Sequence, residues 1–404
     1  MRPFDGRRVL LGVTGGIASY KTVMLARLLT QAGAEVDVVM TRAAQEFVGA
    51  VTFEAVTGRR SYSEIFGAGN ALDHIRLARE AHAFVVAPAS ADFLARAAHG
   101  HADDLLTAAL LANASPVLLV PAMNDRMWGN IQTMRNVTSL RDRGYSVLDP
   151  EVGPLAVGEG SGPGRMPEPE TILSHIARVL ETDAALAGKH VLVTAGATRE
   201  AVDPVRFISN HSSGKMGIAV AEAAWRRGAD VTLVLGHVDV AVGAGPDIVR
   251  TESADDMAAA VAAVLPRADA VVMAAAPADF RPANPSAGKI SKRKDAQRSS
   301  SIDLLATTDI LRSTVPLRKP QAVVVGFALE TGDALSNGAA KLKEKSLDMI
   351  VINDALEEGA GFGVDTNRVS ILHRNGDAEE LPLMSKREVA DAILDRVGTL
   401  LSGR

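Results

Sequence analysis

The sequence predicts an α/β protein of two Rossmann-like or flavodoxin-like domains, each a largely parallel sheet flanked by helices. Three observations carry this. Short apolar runs alternate with stretches of helical periodicity along the chain, as βαβ units do. The runs are largely continuous in apolar residues, which suits strands covered on both faces. An apolar strand ending in glycine before a helix occurs twice, at "VLLGVTG" (9–15) and "HVLVTAG" (190–196).

In the first half, strand 9–15 leads to a helix predicted from Met24, Leu25, Leu28 and Leu29 on one face. Strands at 35–41, 83–90 and 116–123 follow, separated by helical segments. At 151–170, "EVGPLAVGEGSGPGRMPEPE" shows no period and is dominated by Gly, Pro and Glu, so a flap or linker is predicted. A helix follows. The second half reads as strand 190–196, a helix after "ISNHSSGKMG", and strands at 230–236, 270–280, 321–330 and 347–354. A hairpin turns at Asn375-Gly376, and a last helix spans 386–402. The domains are therefore placed at 1–180, with a flap at 151–168, and at 186–404.

Hydrophobic residues at 47% and charged residues at 23% of 404 describe a soluble protein with a large core. A net charge of −5 argues against nucleic acid or an anionic membrane as partner. With no cysteine, disulfides, thiolate nucleophiles and Cys-ligated metals are excluded. The start reads as a first strand, not a signal peptide, and no apolar run approaches the roughly 18–20 residues that span a bilayer. Cytoplasm is the expected location.

Candidate ligand groups gather at strand ends. "GVTGGIASYK" (12–21) puts Thr14, Gly15, Gly16, Ile17 and Ser19 at a strand–helix junction, where backbone N–H groups can meet a phosphate. The spacing is not GxGxxG. Thr41 and Ser90 stand at two further strand ends, the side on which open parallel sheets bind ligands. "LDHIRLARE" offers His74 and "VPAMNDRMW" offers Asn124, each otherwise read as an ordinary structural residue. In the second half, Asn210, His211, Ser212, Ser213 and Lys215 crowd directly before a helix. One cap, worth about 1 kcal/mol, would suffice there, so the excess points to an anion site. "AAAPADF" brings Ala275 and Asp279 to a strand end, and Phe327 stands near another. "GKISKRKD" with Lys289 is either a solvated loop or a source of cations for a polyphosphate. Lys341 and Lys345, spaced i, i+4, share a helix face, either exposed or clamping phosphates.

In this order, "GGIASYK", "DHIRLARE", "APASAD", "ADDLLT", "PAMN" and "GPGRM" resemble the flavin-dependent cysteine decarboxylases. "DPVRFISNHSSGKMG" resembles the phosphopantothenate–cysteine ligase domain. Together they resemble the bifunctional phosphopantothenoylcysteine decarboxylase/phosphopantothenate–cysteine ligase family of coenzyme A biosynthesis, over roughly 7–400. The resemblance implies FMN held near Gly15, Gly16, Ile17, Ser19, Thr41 and Ser90. His74 matches the family's active-site histidine, and Asn124 its carboxylate- or amide-binding asparagine. Arg165 and Met166 belong to a flap that closes over phosphopantothenoylcysteine. For the second half it implies that CTP activates 4′-phosphopantothenate as an acyl-cytidylate, which the amine of cysteine then attacks. Asn210 would handle the acyl-cytidylate, while Arg206, His211 and Ser212 would face the acid substrate. Ala275, Asp279, Lys289, Phe327, Lys341 and Lys345 would bind CTP, with Asp279 also able to hold Mg²⁺. The resemblance further implies a large homo-oligomer of trimeric flavin domains and paired ligase domains.

The sequence departs from that family in two places. Where the flap usually reads "ACG", with a cysteine credited with returning a proton, this chain reads "AVG", with Val157. Valine has no proton to give, so decarboxylation is expected to proceed and reductive completion to stall, unless Glu159 or a water substitutes. "LLATTDIL" (304–311) stands where a "KPTPDIL"-like stretch is common. The rival readings are a flavoprotein with a working ligase but incomplete decarboxylase turnover, and a two-domain nicotinamide oxidoreductase. The latter needs a GxGxxG turn with an acidic residue about 20 positions on, which neither half supplies.

Overall fold

A computed structural model describes residues 3–66, 70–155, 157–158, 160–290, 301–330, 334–354, 361 and 363–404. The chain divides into two units, Met1–Glu181 and Thr182–Arg404.

The first unit holds six parallel strands in the order Ser61–Tyr62, Glu35–Met40, Arg8–Val13, Ala83–Ala89, Val117–Pro121, Ser146–Val147. The chain starts mid-sheet, builds outward one way, then reverses. Ligands of doubly wound folds bind at this reversal, beyond the carboxyl ends of the strands. Alternate strand residues serve opposite layers. Val9, Leu11 and Val13 pack with Leu25 and Leu29 of helix Ser19–Gln31, while Leu10 and Val86 pack with Phe93, Leu94 and Leu106. That helix buries Leu25, Ala26 and Leu29, whereas Met24, expected on the same face, is half-exposed.

The segment that reads as irregular, 151–168, contains an antiparallel hairpin, Glu151–Pro154 with Ser161–Arg165. Its alternation is invisible in sequence because the inward positions are Gly162 and Gly164. Met123 N donates to Gly164 O at 3.0 Å, and a Cβ on Gly164 would lie 2.1 Å from Met123 O. Only glycine permits that approach, so the hairpin root lies directly on "PAMN".

The second unit repeats the same winding. Its eight-stranded sheet runs Asp247–Arg250, Asp230–Leu235, His190–Ala195, Ala270–Met273, Val323–Glu330, Met349–Asp354, Val369–His373, Ala378–Glu380. The first six strands are parallel, and the last two join antiparallel through the predicted hairpin. The edge strand Asp247–Arg250 eluded the sequence reading because all four of its residues are exposed and present no apolar run. The strand expected at 270–280 ends at Met273. Beyond it Thr194 Oγ1 accepts from Ala275 N at 3.1 Å, and Thr198 Oγ1 from Ala278 N at 2.9 Å. The chain is thus held against the neighbouring strand end instead of continuing the sheet.

Candidate active sites

In the first unit the reversal point is stitched by one hydroxyl. Thr14 Oγ1 donates to Pro88 O at 2.8 Å and accepts from Ser90 N at 3.0 Å. Ser90 and Thr41 each cap the helix that follows their strand, accepting from Phe93 N and Ala44 N at 3.2 Å. Ser19 is buried, and its hydroxyl bonds Gly16 O at 2.7 Å and Thr14 O at 3.1 Å, so it shapes the turn from within. Gly15 and Gly16 are half-buried and Ile17 is exposed at the rim.

His74 lies half-buried on helix Asp73–Glu80, and its Nδ1 is buried without a hydrogen-bond partner. An orphan buried nitrogen is costly unless a ligand or proton satisfies it. Asn124 Oδ1 accepts from Arg126 N at 2.9 Å, which directs its amide hydrogens elsewhere. The Met166 side chain lies in the core, and only its backbone carbonyl takes part, accepting from Lys21 Nζ at 2.9 Å. Arg165 pairs with Glu168. Sequence reasoning missed Lys21. It is buried, and its second bond, to Glu168 Oε1 at 3.0 Å, ties the helix of "GGIASYK" to the base of the flap. That Lys21 bond holds the Glu168 carboxyl below its ordinary pKa. Val157 is fully exposed near the hairpin tip, and Glu159 lies outside the described residues.

In the second unit helix Lys215–Arg226 starts at Gly214, which has φ +74° and supplies no side-chain cap. Of the polar residues before the helix, Ser212 accepts from Gly214 N through its Oγ at 3.3 Å. A Cβ on Gly217 would lie 2.6 Å from Ala195 Cβ, so glycine lets this helix press onto the central strand. The helix start opens on a cleft of about 180 Å³, walled by Ser212–Gly217, Ala274–Ala276, Phe327–Leu329, Asn353, Asn367 and Lys386. Asn353 Nδ2 donates to Asn367 Oδ1 at 2.9 Å, leaving Asn353 Oδ1 and Asn367 Nδ2 buried and unpaired. An acceptor and a donor are thus presented side by side.

Of the predicted residues, Ser212, Ser213, Lys215, Ala275 and Phe327 line the cleft. Asn210 joins its edge, donating to Ala276 O at 3.2 Å and Pro277 O at 3.0 Å. Arg206, His211, Asp279 and Lys289 are exposed and stand outside the wall. Lys341 and Lys345 also lie off it, and Lys345 pairs with Asp309 at 3.2 Å. The divergent "LLATTDIL" is put to structural use, since Thr307 Oγ1 donates to Ala278 O at 2.6 Å, next to Asp279. Among the described residues no three His, Asp or Glu side chains converge as a metal site. A lone Asp279 therefore fits only a Mg²⁺ that keeps most of its ligands as water and phosphate.

Lys386, Asn353 and Asn367 are cleft residues that sequence reasoning missed. Lys386 Nζ donates to Gly361 O at 2.7 Å and Val364 O at 2.6 Å. Burial and nearby Lys215 lower its pKa to about 8, against the opposing pull of Asp365. Lys215 Nζ in turn bonds Asp365 Oδ1 at 2.7 Å and Gly363 O at 3.0 Å.

Two family models cover the chain, Flavoprotein over residues 2–181 and the DNA/pantothenate metabolism flavoprotein C-terminal domain over 186–400. The coenzyme A biosynthesis bifunctional protein CoaBC of Mycobacterium tuberculosis (strain ATCC 25618 / H37Rv) is 46% identical, with 98% of this chain and 97% of that protein covered. Its counterpart from Bacillus subtilis (strain 168) is 43% identical, covering 98% of each. A crystal structure of the C-terminal domain of a CoaBC protein shares 37% identity at a TM-score of 0.46, covering 55% of this chain and 100% of that one. With its two units in the same order and relatives matched from end to end, the chain belongs to the bifunctional phosphopantothenoylcysteine decarboxylase/phosphopantothenate–cysteine ligase family of coenzyme A biosynthesis.

Proposed function

We propose that the second unit joins cysteine to 4′-phosphopantothenate at the expense of CTP, and that the first decarboxylates the product with FMN. The observation that carries this reading is the cleft at the uncapped start of helix Lys215–Arg226. Free N–H groups and the positive end of the helix suit a phosphate. Beside them, Phe327 offers an apolar face, and the unpaired Asn353 Oδ1 and Asn367 Nδ2 suit a ligand carrying both donor and acceptor, as cytidine does.

In the ligase step a carboxylate oxygen attacks the α-phosphorus of CTP and pyrophosphate leaves. The amine of cysteine then attacks the acyl carbon, CMP leaves, and the amine loses a proton. Asn210 stands at the cleft edge to donate to the acyl oxygen as charge develops there. Ala275 and Phe327 would hold the base, Lys289, Lys341 and Lys345 would neutralise the triphosphate, and Asp279 would meet its Mg²⁺. Arg206, His211 and Ser212 would face the phosphopantothenate.

In the first unit the strand ends that carry Thr14–Ser19, Thr41 and Ser90 meet at the sheet reversal, where a flavin phosphate and ring would bind. FMN, when bound there, supplies the two-electron oxidation that lets the cysteinyl carboxylate leave. Asn124 would hold that carboxylate, His74 Nδ1 would position the substrate or take a proton, and Arg165 would act from the flap root. Exposed Ile17, Tyr20 and Met24 at the rim support a homo-oligomeric flavin unit. Described helices include none long and apolar enough to cross a membrane.

A split assay tests the whole reading. Pyrophosphate release is followed with CTP, phosphopantothenate and cysteine, and CO₂ release with phosphopantothenoylcysteine and FMN. Both are expected. Absence of CTP-dependent pyrophosphate release refutes the ligase assignment, and absence of CO₂ refutes the decarboxylase assignment.

A further inference from the structure

Two chain segments of the ligase unit meet at one buried carboxylate. Asp203, in "DPVRF", is 3% exposed. Its Oδ1 accepts from Val205 N and Arg206 N, both at 2.8 Å. Its Oδ2 accepts from Ile290 N at 3.1 Å and from Arg206 Nη1 at 3.2 Å. The backbones are sewn together as well, with Ser286 N donating to Val202 O at 2.9 Å and Val202 N to Arg206 O at 2.8 Å.

A carboxylate offers about four acceptor positions, and here four are filled. Asp203 therefore has nothing left to offer a metal, a substrate or a proton, and it is not a catalytic residue. What its bonds accomplish is geometric. An ordinary turn needs only the two local N–H groups. The other two bonds reach a backbone amide 87 residues away and a guanidinium. That amide belongs to the residue following Lys289, and the guanidinium is that of Arg206. Burial opposes ionisation of Asp203, but the N–H groups of Val205, Ile290 and Arg206 outweigh it and hold the carboxyl below its ordinary pKa. The clamp is thus charged at neutral pH.

We propose that Asp203 is a positioning residue of the ligation reaction, fixing the root of Lys289 and the guanidinium of Arg206 in one frame so that two cations on separate segments meet the same anionic substrates. This rests on the reading of Lys289 as a cation for the CTP-dependent step. Asparagine at 203 keeps the shape but loses the charge and one acceptor oxygen. Misplacement of a reacting group by about 1 Å can cost about 100-fold.

The test is a double-mutant cycle in the full-length protein, with Asp203→Asn, Lys289→Gln and the pair. It reads kcat/KM for CTP by pyrophosphate release, with thermal unfolding of each variant alongside. Asp203→Asn is expected to lower kcat/KM by about 10–100-fold with its unfolding temperature near that of the parent. The two losses are expected to combine to less than their product, because part of what Asp203 does passes through that lysine and the rest through Arg206. A purely structural role leaves the two losses multiplicative. If Asp203→Asn does not fold, Asp203→Glu enters the same cycle and is read in the same way. A silent change at 203, or multiplicative losses, overturns the proposal while leaving Lys289 in place. A Lys289→Gln protein as active as the parent overturns the reading of Lys289 itself, and with it the clamp.

Discussion

Asn210 donates its side-chain amide to the carbonyls of Ala276 and Pro277, at 3.2 and 3.0 Å, and so ties the segment before helix Lys215–Arg226 to the chain beyond strand Ala270–Met273. Its two amide hydrogens are both engaged by these carbonyls, so donation to a ligand would exchange one of them. An acyl oxygen entering the cleft edge would replace one of these carbonyls as acceptor, at a nitrogen whose place is already fixed.

The cleft helix depends on a charge cluster behind it. Asp391 is buried and pairs with both Arg226 and Arg227, the latter at 3.2 Å. Asp391→Ala takes one carboxylate from Arg227, 3% exposed, and leaves Asp395 at 2.7 Å. The expected loss is about 3 kcal/mol, read from denaturant unfolding of the full chain. A loss below about 1 kcal/mol would show that Asp395 suffices.

Lys386 makes stability depend on pH. Its pKa of about 8 in the folded chain lies below the ordinary lysine value of 10.5, because burial and Lys215 disfavour the charge. Below pH 8 both states keep the proton, and the cost of the buried charge is carried in full. Between about 8 and 10.5 the folded chain releases a proton that the unfolded chain retains, so this group makes stability rise with pH, by about 3 kcal/mol at most. The two carbonyl bonds to its ammonium reduce that figure. Unfolding free energies measured from pH 7 to 10.5 should rise more steeply in the parent than in Lys386→Met. Parallel curves would contradict the assignment.

Val157 predicts an incomplete first-unit reaction. The residue stands exposed near the flap tip, and no cysteine exists in the chain to give a proton in its place. A thiol with pKa about 8.5 is matched to that task, and an alkyl side chain is not. In anaerobic single turnovers the flavin should stay reduced while CO₂ and an unsaturated thiol product are formed. Val157→Cys should raise the yield of the reduced product. Prompt flavin reoxidation by the unaltered chain, with no gain from Val157→Cys, would show that another donor works here.

The sequence made the winding of both sheets legible, because continuous apolar runs and glycine at strand ends record burial and close approach locally. It also exposed the unusual polar density at 210–215, and the structure adds that the helix cap is Gly214. Hidden were residues whose meaning arises only from long-range pairing. Asn353 and Asn367 each sit in an ordinary strand environment, and only their mutual bond leaves two polar atoms unpaired. Lys386 follows a Ser385 capping box and reads as a solvated helix start, yet folding buries it against carbonyls of Gly361 and Val364. Lys21 looks like part of a phosphate loop but turns inward to the flap base, 145 residues away. The pair Lys341 and Lys345 shows the same limit. Helical spacing was visible, but the tie from Lys345 to Asp309 was not.

The partition of products in an Asn210→Asp protein tests the ligase account most directly. Aspartate keeps the size of the side chain but cannot donate to Ala276 O, Pro277 O or an acyl oxygen. Activation of the acid by CTP should survive, while breakdown of the acyl-cytidylate slows by about 10²–10³-fold, the usual cost of one oxyanion donor. Pyrophosphate and amide are measured in the same reaction with CTP, phosphopantothenate and cysteine. The account predicts pyrophosphate release with little amide formed and an acyl-cytidylate detectable by mass. Amide formed at the parent rate, or pyrophosphate and amide lost together in equal measure, would contradict it.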